Sequence, residues 1–260
     1  MNHTNFRRRL LHVERLNGGE RDVAARRRYN RLRTLRGGEG CLGGREVIGR
    51  GDNGAVFAAD REILQFVNAA VDPARVVVKQ EKVRDEAHLQ AIEQEVRIAT
   101  RLGLAGLAPV VHGFTTRRCG RNVFAMTVID RFAQTWEKMY PHGDDCQSAP
   151  YKIDEAHERA LLQAIIEMVD LGIVHNDVHT GNIGFTDDGR VLLFDFGFAR
   201  EIAPPASPVR EQIILAHLYQ VLEHYAPGTR DCSLLYEAVY HIRQGHALPD
   251  HRAVSSVGEC

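Results

Sequence analysis

Hydrophobic positions between residues 46 and 130 follow strand-like and helix-like spacings in turn. VIGRGDNGAVFAA predicts two short strands joined by a glycine turn, and ARVVVKQE predicts a buried strand. Residues 61–73 between them are interpreted as a surface insertion. Residues 85–102 carry apolar side chains at helical spacing and precede Gly103, which indicates a helix with one apolar face. LAPVVHGF and NVFAMTVID predict two more strands, so this part is a small sheet with one long helix.

The second half of the chain has a mainly helical pattern. Residues 135–152 are polar and broken by prolines, which is typical of a linker. A helix is predicted from about Asp154, a plausible N-cap, to Leu171. The loop HNDVHTGN then leads into a hairpin with strands NIGF and VLLFDF, and two further helical patterns follow Pro208.

Composition narrows the class of protein. The chain has 260 residues, 44% of them hydrophobic and 26% charged, which is enough for one substantial core or two small lobes enclosing a cleft. No apolar stretch approaches the roughly 18 residues of a membrane span, and MNHTNFRRRLLHVERLNGGE lacks an apolar signal core. The five cysteines are widely separated, and no two form CxxC. We therefore expect no membrane span and a reducing, cytoplasmic location.

Charge is distributed unevenly. The first 38 residues hold eleven arginines against three acidic residues, a local charge of +8, so the net charge of -1 leaves -9 for the rest. We predict a basic helical arm over residues 1–40 and a separate domain over residues 41–260. Acidic protein, nucleic acid or anionic lipid could bind the arm. A solvated amphipathic extension is the preferred interpretation, because only Phe6 and Tyr29 could stack on bases.

The first candidate motif is GxGxxGxV, formed by Gly49, Gly51, Gly54 and Val56. Glycines let backbone amides approach phosphate oxygens closely. A dinucleotide site would require a helix at the glycines, whereas the strand-like AVFAA follows here. The pattern favours a hairpin that covers a nucleotide, and a plain glycine-rich hairpin remains the alternative.

Lys79 closes a run of three valines, where a strand usually just meets water. The functional interpretation is a cation that contacts nucleotide phosphates and is held by a carboxylate of the following helix. Glu95 is the natural partner, because Glu93 points elsewhere on that helix by about 200 degrees.

Downstream, HNDVHTGN and FDFG bring oxygen-bearing side chains to one loop and one hairpin. Asp177 and Asn182 lie five residues apart, and Asp195 follows a hydrophobic strand. Phosphoryl transfer needs Mg²⁺ and a carboxylate that orients the attacking hydroxyl, and hard cations prefer such ligands. The alternative is a zinc pair made by His175 and His179, which Thr180, Gly181 and Asn182 oppose because they break any helix there.

In this order, IGRGDNGAV, VVVK, EVRIATRL, HNDVHTGN and FDFG resemble the signature set of the protein kinase superfamily over residues 46–200. The resemblance implies an α+β, bilobal kinase-like fold with a small sheet-rich N-lobe, about residues 41–130, and a minimal helical C-lobe, about residues 135–250. It implies ATP and Mg²⁺ as cofactors. It also implies the site residues: Asp177 as catalytic base with Lys79 and Asn182; Ile48, Gly49, Gly51, Gly54, Val56, Lys79, Glu95 and Asp130 at the nucleotide; Asn182 and Asp195 at the metal.

Three departures from the kinase pattern stand out. Asn176 replaces the arginine that usually anchors a phosphorylated activation loop, so loop phosphorylation is not the expected switch. His179 stands where serine/threonine kinases commonly have lysine, and in this it looks like aminoglycoside and choline phosphotransferases. No APE motif follows Gly197, and only 63 residues remain. The compact C-lobe is similar to that of viral and bacterial-effector kinases.

The sequence therefore predicts a serine/threonine protein kinase that transfers the γ-phosphate of MgATP to a protein hydroxyl. Two alternatives stay open. A small-molecule kinase is favoured by His179 and opposed by the full glycine motif, and a pseudokinase scaffold is opposed by the intact candidate residues. For a viral or effector protein, the expected compartment is the host cytoplasm.

Overall fold

The computed structural model describes residues 42, 45–51, 54–67, 71–140, 153–225 and 233–246. The chain divides into two compact units. Unit 1 comprises Met1–Thr100 and Pro109–Arg131, and unit 2 comprises Arg101–Ala108 and Phe132–Cys260. The predicted arm over residues 1–40 lies outside the described residues, and the predicted domain bounds stay predictions.

Unit 1 contains an antiparallel sheet with strand order β1-β2-β3-β5-β4. Its strands are β1 (Val47–Gly51), β2 (Gly54–Ala58), β3 (Val76–Val83), β4 (Val111–Cys119) and β5 (Asn122–Asp130). Two helices accompany them, α1 (Arg61–Val67) and α2 (Glu86–Leu104), and the division between the units falls within α2. The predicted strands and the long helix are confirmed, although the strand predicted from LAPVVHGF begins only at Val111.

One face of this sheet packs against α1. Side chains alternate along a strand, so Val76 and Val78 share a face, and both are buried together with Ile63 and Leu64 of α1. The interpretation of residues 61–73 as a surface insertion was therefore wrong. Seven of its thirteen residues are apolar, and Ile63 and Leu64 enter the core.

The opposite face of the sheet carries α2. Leu89, Ile92 and Val96 of the helix are buried against Val83 and Ala125 of the strands. Lys79 and Glu81 belong to this same face, because they differ from Val83 by even numbers of residues. The alternation of β3 thus directs two charged side chains toward α2.

Unit 2 is built around one buried helix, Glu155–Asp170. Its helices are α3 (Trp136–Met139), α4 (Glu155–Asp170), α5 (Val209–Leu222) and α6 (Leu234–Arg243). Its strands are β6 (Gln134–Thr135), β7 (Ile173–Val174), β8 (Ile183–Phe185), β9 (Val191–Leu193) and β10 (Arg200–Glu201), which form the antiparallel groups β6-β8-β9 and β7-β10. The side chain of Asp154 accepts a hydrogen bond from Ala156 N at 2.8 Å, which confirms the predicted N-cap of α4.

Part of the predicted linker is core. Trp136 is fully buried, and its ring stacks against Phe185 at 5.4 Å and Tyr225 at 6.4 Å between centroids. The linker interpretation of residues 135–152 was wrong for residues 135–140, because a single aromatic residue anchors an otherwise polar stretch. Residues 141–152 lie outside the described residues.

The structure bears on two expectations from the sequence, one about the cysteines and one about a membrane span. Cys119, the last residue of β4, is disulfide-bonded, which the cysteine spacing did not predict. The expectation of a reducing compartment stays a prediction. Over the described ranges, no helix combines the length and apolar character needed to cross a membrane.

The burial of α1 can be tested with two matched substitutions. Leu64→Ala should lower the free energy of unfolding by about 2–5 kcal/mol, since it leaves a cavity beneath the sheet. Leu104→Ala makes the same change at a side chain that is 84% exposed and should cost less than about 0.5 kcal/mol. Urea denaturation of both variants measures the difference, and equal costs would show that α1 is not part of the core.

Candidate active site

The predicted glycine motif lies on a hairpin of unit 1. Gly49 of β1 pairs with Val56 of β2, and Gly51 pairs with Gly54. A strand rather than a helix follows the glycines, so the structure excludes the dinucleotide arrangement. A Cβ on Gly54 would lie 2.2 Å from Gln80 O of β3 and 2.9 Å from Cγ of Glu81, and only glycine therefore fits. Ile48 is part of the same strand, β1.

Lys79 of β3 lies between two carboxylates of unit 1. Its Nζ is 2.6 Å from Oε1 of Glu95 on α2 and 3.1 Å from Oε1 of Glu81 on β3. The structure thus brings together the predicted pair of Lys79 and Glu95. Sequence reasoning missed Glu81, although its position two residues after Lys79 puts it on the same face of the strand.

Asp130, predicted to lie near the adenine, is the last residue of β5. Its Oδ1 lies 2.6 Å from Nε2 of His112, and its backbone amide donates to Val110 O at 3.0 Å. Sequence reasoning did not identify His112. The predicted role of Asp130 at a nucleotide stays a prediction.

Asp177 and Asn182 of unit 2 are joined directly. Asn182 Nδ2 donates to Oδ2 of Asp177 at 3.1 Å and to the Asp177 carbonyl at 3.1 Å. Because both partners can only accept, the NH₂ end of the amide must face Asp177. The Oδ1 atom therefore points away from Asp177, and an amide oxygen in that position is available as a ligand for a hard cation.

Asp195 is positioned through its neighbour. Phe194 N donates to Asn182 O at 3.1 Å, which extends the β8-β9 hairpin by one bond beyond the Ile183–Leu193 pair. Asp195 follows directly, with a φ of 61° that few non-glycine residues adopt. Such strained backbone is concentrated at functional sites, where the surrounding contacts hold it.

Gln220 of α5 holds the backbone on both sides of Asp177. Its Nε2 donates to Asn176 O at 2.9 Å, and its Oε1 accepts from Val178 N at 3.2 Å. The Nδ1 atom of His217 lies 3.3 Å from the same Oε1 and must carry the proton, because a carbonyl oxygen only accepts. Nothing local in the sequence indicates this support, since Gln220 lies more than 40 residues from the loop.

Asn176 connects the loop to the segment after FDFG. Its Nδ2 donates to Phe198 O at 2.9 Å, and its φ is 65°. The same segment continues into β10, where Arg200 pairs with Val174 and Glu201 with Ile173 of β7. Ile202 N also donates to Gly172 O at 2.8 Å. Neutral and backbone hydrogen bonds therefore hold this segment, together with the 3.3 Å ion pair between Glu201 and Arg101.

Both histidines of the zinc alternative have other roles. His179 Nδ1 accepts from Gly181 N at 3.0 Å and caps the short 3₁₀ turn Thr180–Asn182. His175 is buried, and its Nε2 donates to Phe194 O at 3.1 Å. In the part of the chain that the structure describes, no three His, Cys, Asp or Glu side chains cluster as metal ligands. The imidazole rings of His175 and His179 therefore stabilise the backbone of the loop HNDVHTGN and of the neighbouring hairpin.

Two oxygen-bearing side chains of unit 2 fit the Mg²⁺ that the sequence implies. In unit 1, a Cβ on Gly54 would collide with Gln80 O and Cγ of Glu81, so packing within the sheet requires this glycine. In unit 2, the amide oxygen of Asn182 and the exposed carboxylate of Asp195 are oxygen ligands of the kind that Mg²⁺ prefers. The assigned roles of these residues stay predictions.

A protein-family model matches part of unit 2. A family described as "ABC1 atypical kinase-like domain" matches residues 140–223, which is less than half of the 260 residues. The matched range includes Asp177, Asn182, Asp195 and Gln220. This finding supports a protein-kinase-like superfamily and a kinase-like, ATP-using function.

Among individual proteins, "Putative ABC transporter A445L" of Paramecium bursaria Chlorella virus 1 is 47% identical over 45 residues. The similar stretch covers 17% of this chain and 10% of that protein. Because only 10% of that protein is covered, its name assigns no activity to this chain.

The buried histidine of the loop predicts a pH dependence of stability. Burial, reinforced by His217 nearby, lowers the pKa of His175 to about 4 from 6.5. The folded state therefore keeps His175 neutral while the unfolded chain takes up a proton below pH 6.5. The stabilisation that neutral His175 contributes should fall as the pH drops from 6.5 toward 4, by about 2 kcal/mol between pH 7 and pH 5.

Urea denaturation at several pH values measures this effect. His175→Leu, which cannot titrate, should flatten the slope of stability against pH between these values. The matched change His241→Leu, at a half-buried side chain of α6, should leave the slope unchanged. An equal slope in wild type and His175→Leu would contradict the assignment of the acid sensitivity to His175.

Proposed function

We propose that the protein is a MgATP-dependent phosphotransferase whose two units are the lobes of a kinase-like fold, and that it phosphorylates serine or threonine hydroxyls of proteins. The main support is the coupling of Asn182 to Asp177, with Asp195 one residue beyond the Phe194–Asn182 hydrogen bond. Similarity to compact viral and bacterial-effector kinases is part of this proposal.

In unit 1, the proposed roles concern the nucleotide. Lys79 would contact the phosphates, and Glu95 would hold its ammonium at 2.6 Å. The backbone amides around Gly49, Gly51 and Gly54 would cover the phosphates. Bound MgATP would supply the transferable γ-phosphoryl group and a cation that neutralises phosphate charge.

In unit 2, Asp177 would orient the acceptor hydroxyl and take its proton as the oxygen attacks the γ-phosphorus of ATP. The bond from that phosphorus to the β–γ bridging oxygen would break, and ADP would leave. Asn182 donates to one carboxylate oxygen of Asp177 and leaves the other to the acceptor. Asn182 Oδ1 and the Asp195 carboxylate would hold the cation. Gln220 would maintain this geometry, because it fixes the backbone immediately before and after Asp177.

The class of acceptor has one serious alternative, a small alcohol. His179 favours it, since Nδ1 is occupied by Gly181 N and the Nε2 atom lies 3.8 Å from Oδ2 of Asp177. A neutral imidazole there therefore presents an N–H toward the catalytic carboxylate, where a protein kinase would present an ammonium. The partner of the arginine-rich arm and a cytoplasmic location also stay proposals.

A transfer assay tests the proposed function. The full chain with radiolabelled ATP and Mg²⁺ should label at least one acceptor in a panel of proteins and small alcohols. Asp195→Ala should reduce the rate at least about a hundredfold, because a cation ligand is lost where charge develops. The fold should persist, since the Asp195 side chain is exposed and adds little packing.

Asp187→Ala is the matched control, because it removes an exposed carboxylate from the turn of the same hairpin. It should keep the wild-type rate. An Asp195→Ala variant with full activity would refute the metal assignment. If the wild-type protein binds ATP but transfers no phosphate to any acceptor, the result would favour the pseudokinase alternative.

We also propose that the enzyme is active without phosphorylation of the segment FAREIAPPASPV. Asn176 already holds this segment through Phe198 O, and Ser207 Oγ donates to the carboxylate of Glu211 at 2.7 Å. A phosphate on Ser207 would face that negative charge and would gain no ordering contact from Asn176. Phosphatase-treated protein and Ser207→Ala should both retain the wild-type transfer rate.

Mass spectrometry should first establish that Ser207 is unmodified in the treated sample. Loss of activity on dephosphorylation, restored when Ser207 is phosphorylated again, would show that the segment is a switch.

A further inference from the structure

Glu81 is a buried carboxylate for which the proposed mechanism has no role. Only 5% of the residue is exposed, yet its Oε1 lies 3.1 Å from Nζ of Lys79. A carboxylate that is removed from water without a cationic partner is costly, so the contact with Lys79 offsets the burial of Glu81. Lys79 therefore pairs with Glu81 as well as with Glu95, and sequence reasoning supplied only Glu95.

The two ion pairs of Lys79 differ in what they require. Lys79 and Glu81 belong to one strand, two residues apart and on the same face, so β3 alone brings them together. Lys79 and Glu95 meet only when α2 lies against the sheet. A shift of α2 would break the second pair and leave the first intact.

Glu81 also lies beneath the glycine hairpin. It pairs in register with Gly54, and its Cγ is one of the atoms that a Cβ on Gly54 would meet, at 2.9 Å. The absence of a side chain at Gly54 therefore makes room for Glu81. The pairing of β2 with β3 thus fixes the position of Lys79 relative to the glycine hairpin.

We infer that Glu81 is a second positioning residue for Lys79, which keeps the ammonium group beneath the glycine hairpin when the contact with Glu95 is lost. The inference rests on the proposed function for its catalytic consequence and on the geometry alone for the lysine contact. It implies that displacement of α2 weakens the site without disorganising Lys79.

The contact itself can be tested without any activity. An amine-acylating reagent reacts with the neutral form of Lys79, and mass spectrometry of the modified peptide gives the rate. Loss of a neighbouring carboxylate favours the neutral amine, so Glu81→Gln and Glu95→Gln should each react faster than wild type. The double variant should react at least about tenfold faster than wild type.

Glu62→Gln is the matched control, since it removes an exposed carboxylate of unit 1 that pairs with Arg45. It should leave the labelling of Lys79 unchanged. If Glu81→Gln does not fold, Glu81→Asp withdraws the charge by one methylene and should give an intermediate rate. Equal labelling of wild type and the Glu81 variant, with the double variant equal to Glu95→Gln, would overturn the inference.

The catalytic consequence is tested in the transfer assay. Glu95→Gln should lower the rate about tenfold but leave it above that of Lys79→Ala, whereas the Glu81→Gln/Glu95→Gln double variant should fall to the level of Lys79→Ala. Glu95→Gln as inactive as Lys79→Ala would overturn the inference. If wild type transfers no phosphate, the proposed function fails, and the labelling rates still decide the role of Glu81.

Discussion

The organisation of unit 2 depends on one side-chain amide, that of Asn182. It donates twice to Asp177, while the Asn182 backbone carbonyl accepts from Phe194 N and so fixes the residue before Asp195. Asn182 is only 6% exposed, and a buried amide must satisfy its hydrogen-bonding groups. That requirement links the loop to the hairpin. A chain that satisfies Asn182 in this way places Asp177 beside Asn182 and fixes the backbone just before Asp195.

The loop that carries Asp177 is unstable by itself and is held from outside. Asn176 has a positive φ, which costs free energy on the order of 1 kcal/mol or more unless the surroundings hold it. Gln220 supplies the compensation, since one amide group satisfies the carbonyl of Asn176 and the N–H of Val178. His217 fixes the Gln220 amide in turn, and burial lowers the pKa of His217, which favours its neutral form. Helix α5 thereby supports the loop of Asp177 through the backbone of Asn176 and Val178.

Local patterns in the sequence predict much of the fold and most of the candidate residues. The hairpin at Gly49 to Gly54, the strand that carries Lys79 and the N-cap at Asp154 follow from periods of two and 3.6 and from turn chemistry. The missed features depend on tertiary contacts. Burial of Leu64 and Trp136 depends on which surfaces come to cover them, and the role of Gln220 depends on a contact across 44 residues. Glu81 could have been identified from the sequence, because strand alternation places it beside Lys79.

Asn176 shows how one substitution can change the control of such a site. An arginine there would carry a charge that needs an anion, and a segment anchored by a phosphate can exist in two states. A neutral amide needs only an acceptor, and Phe198 O provides one at all times. The β7-β10 pair and the Ile202–Gly172 hydrogen bond add backbone contacts that no modification is required to form. Because the segment is held by groups of its own chain, we expect any regulation of this protein to act elsewhere than on this segment.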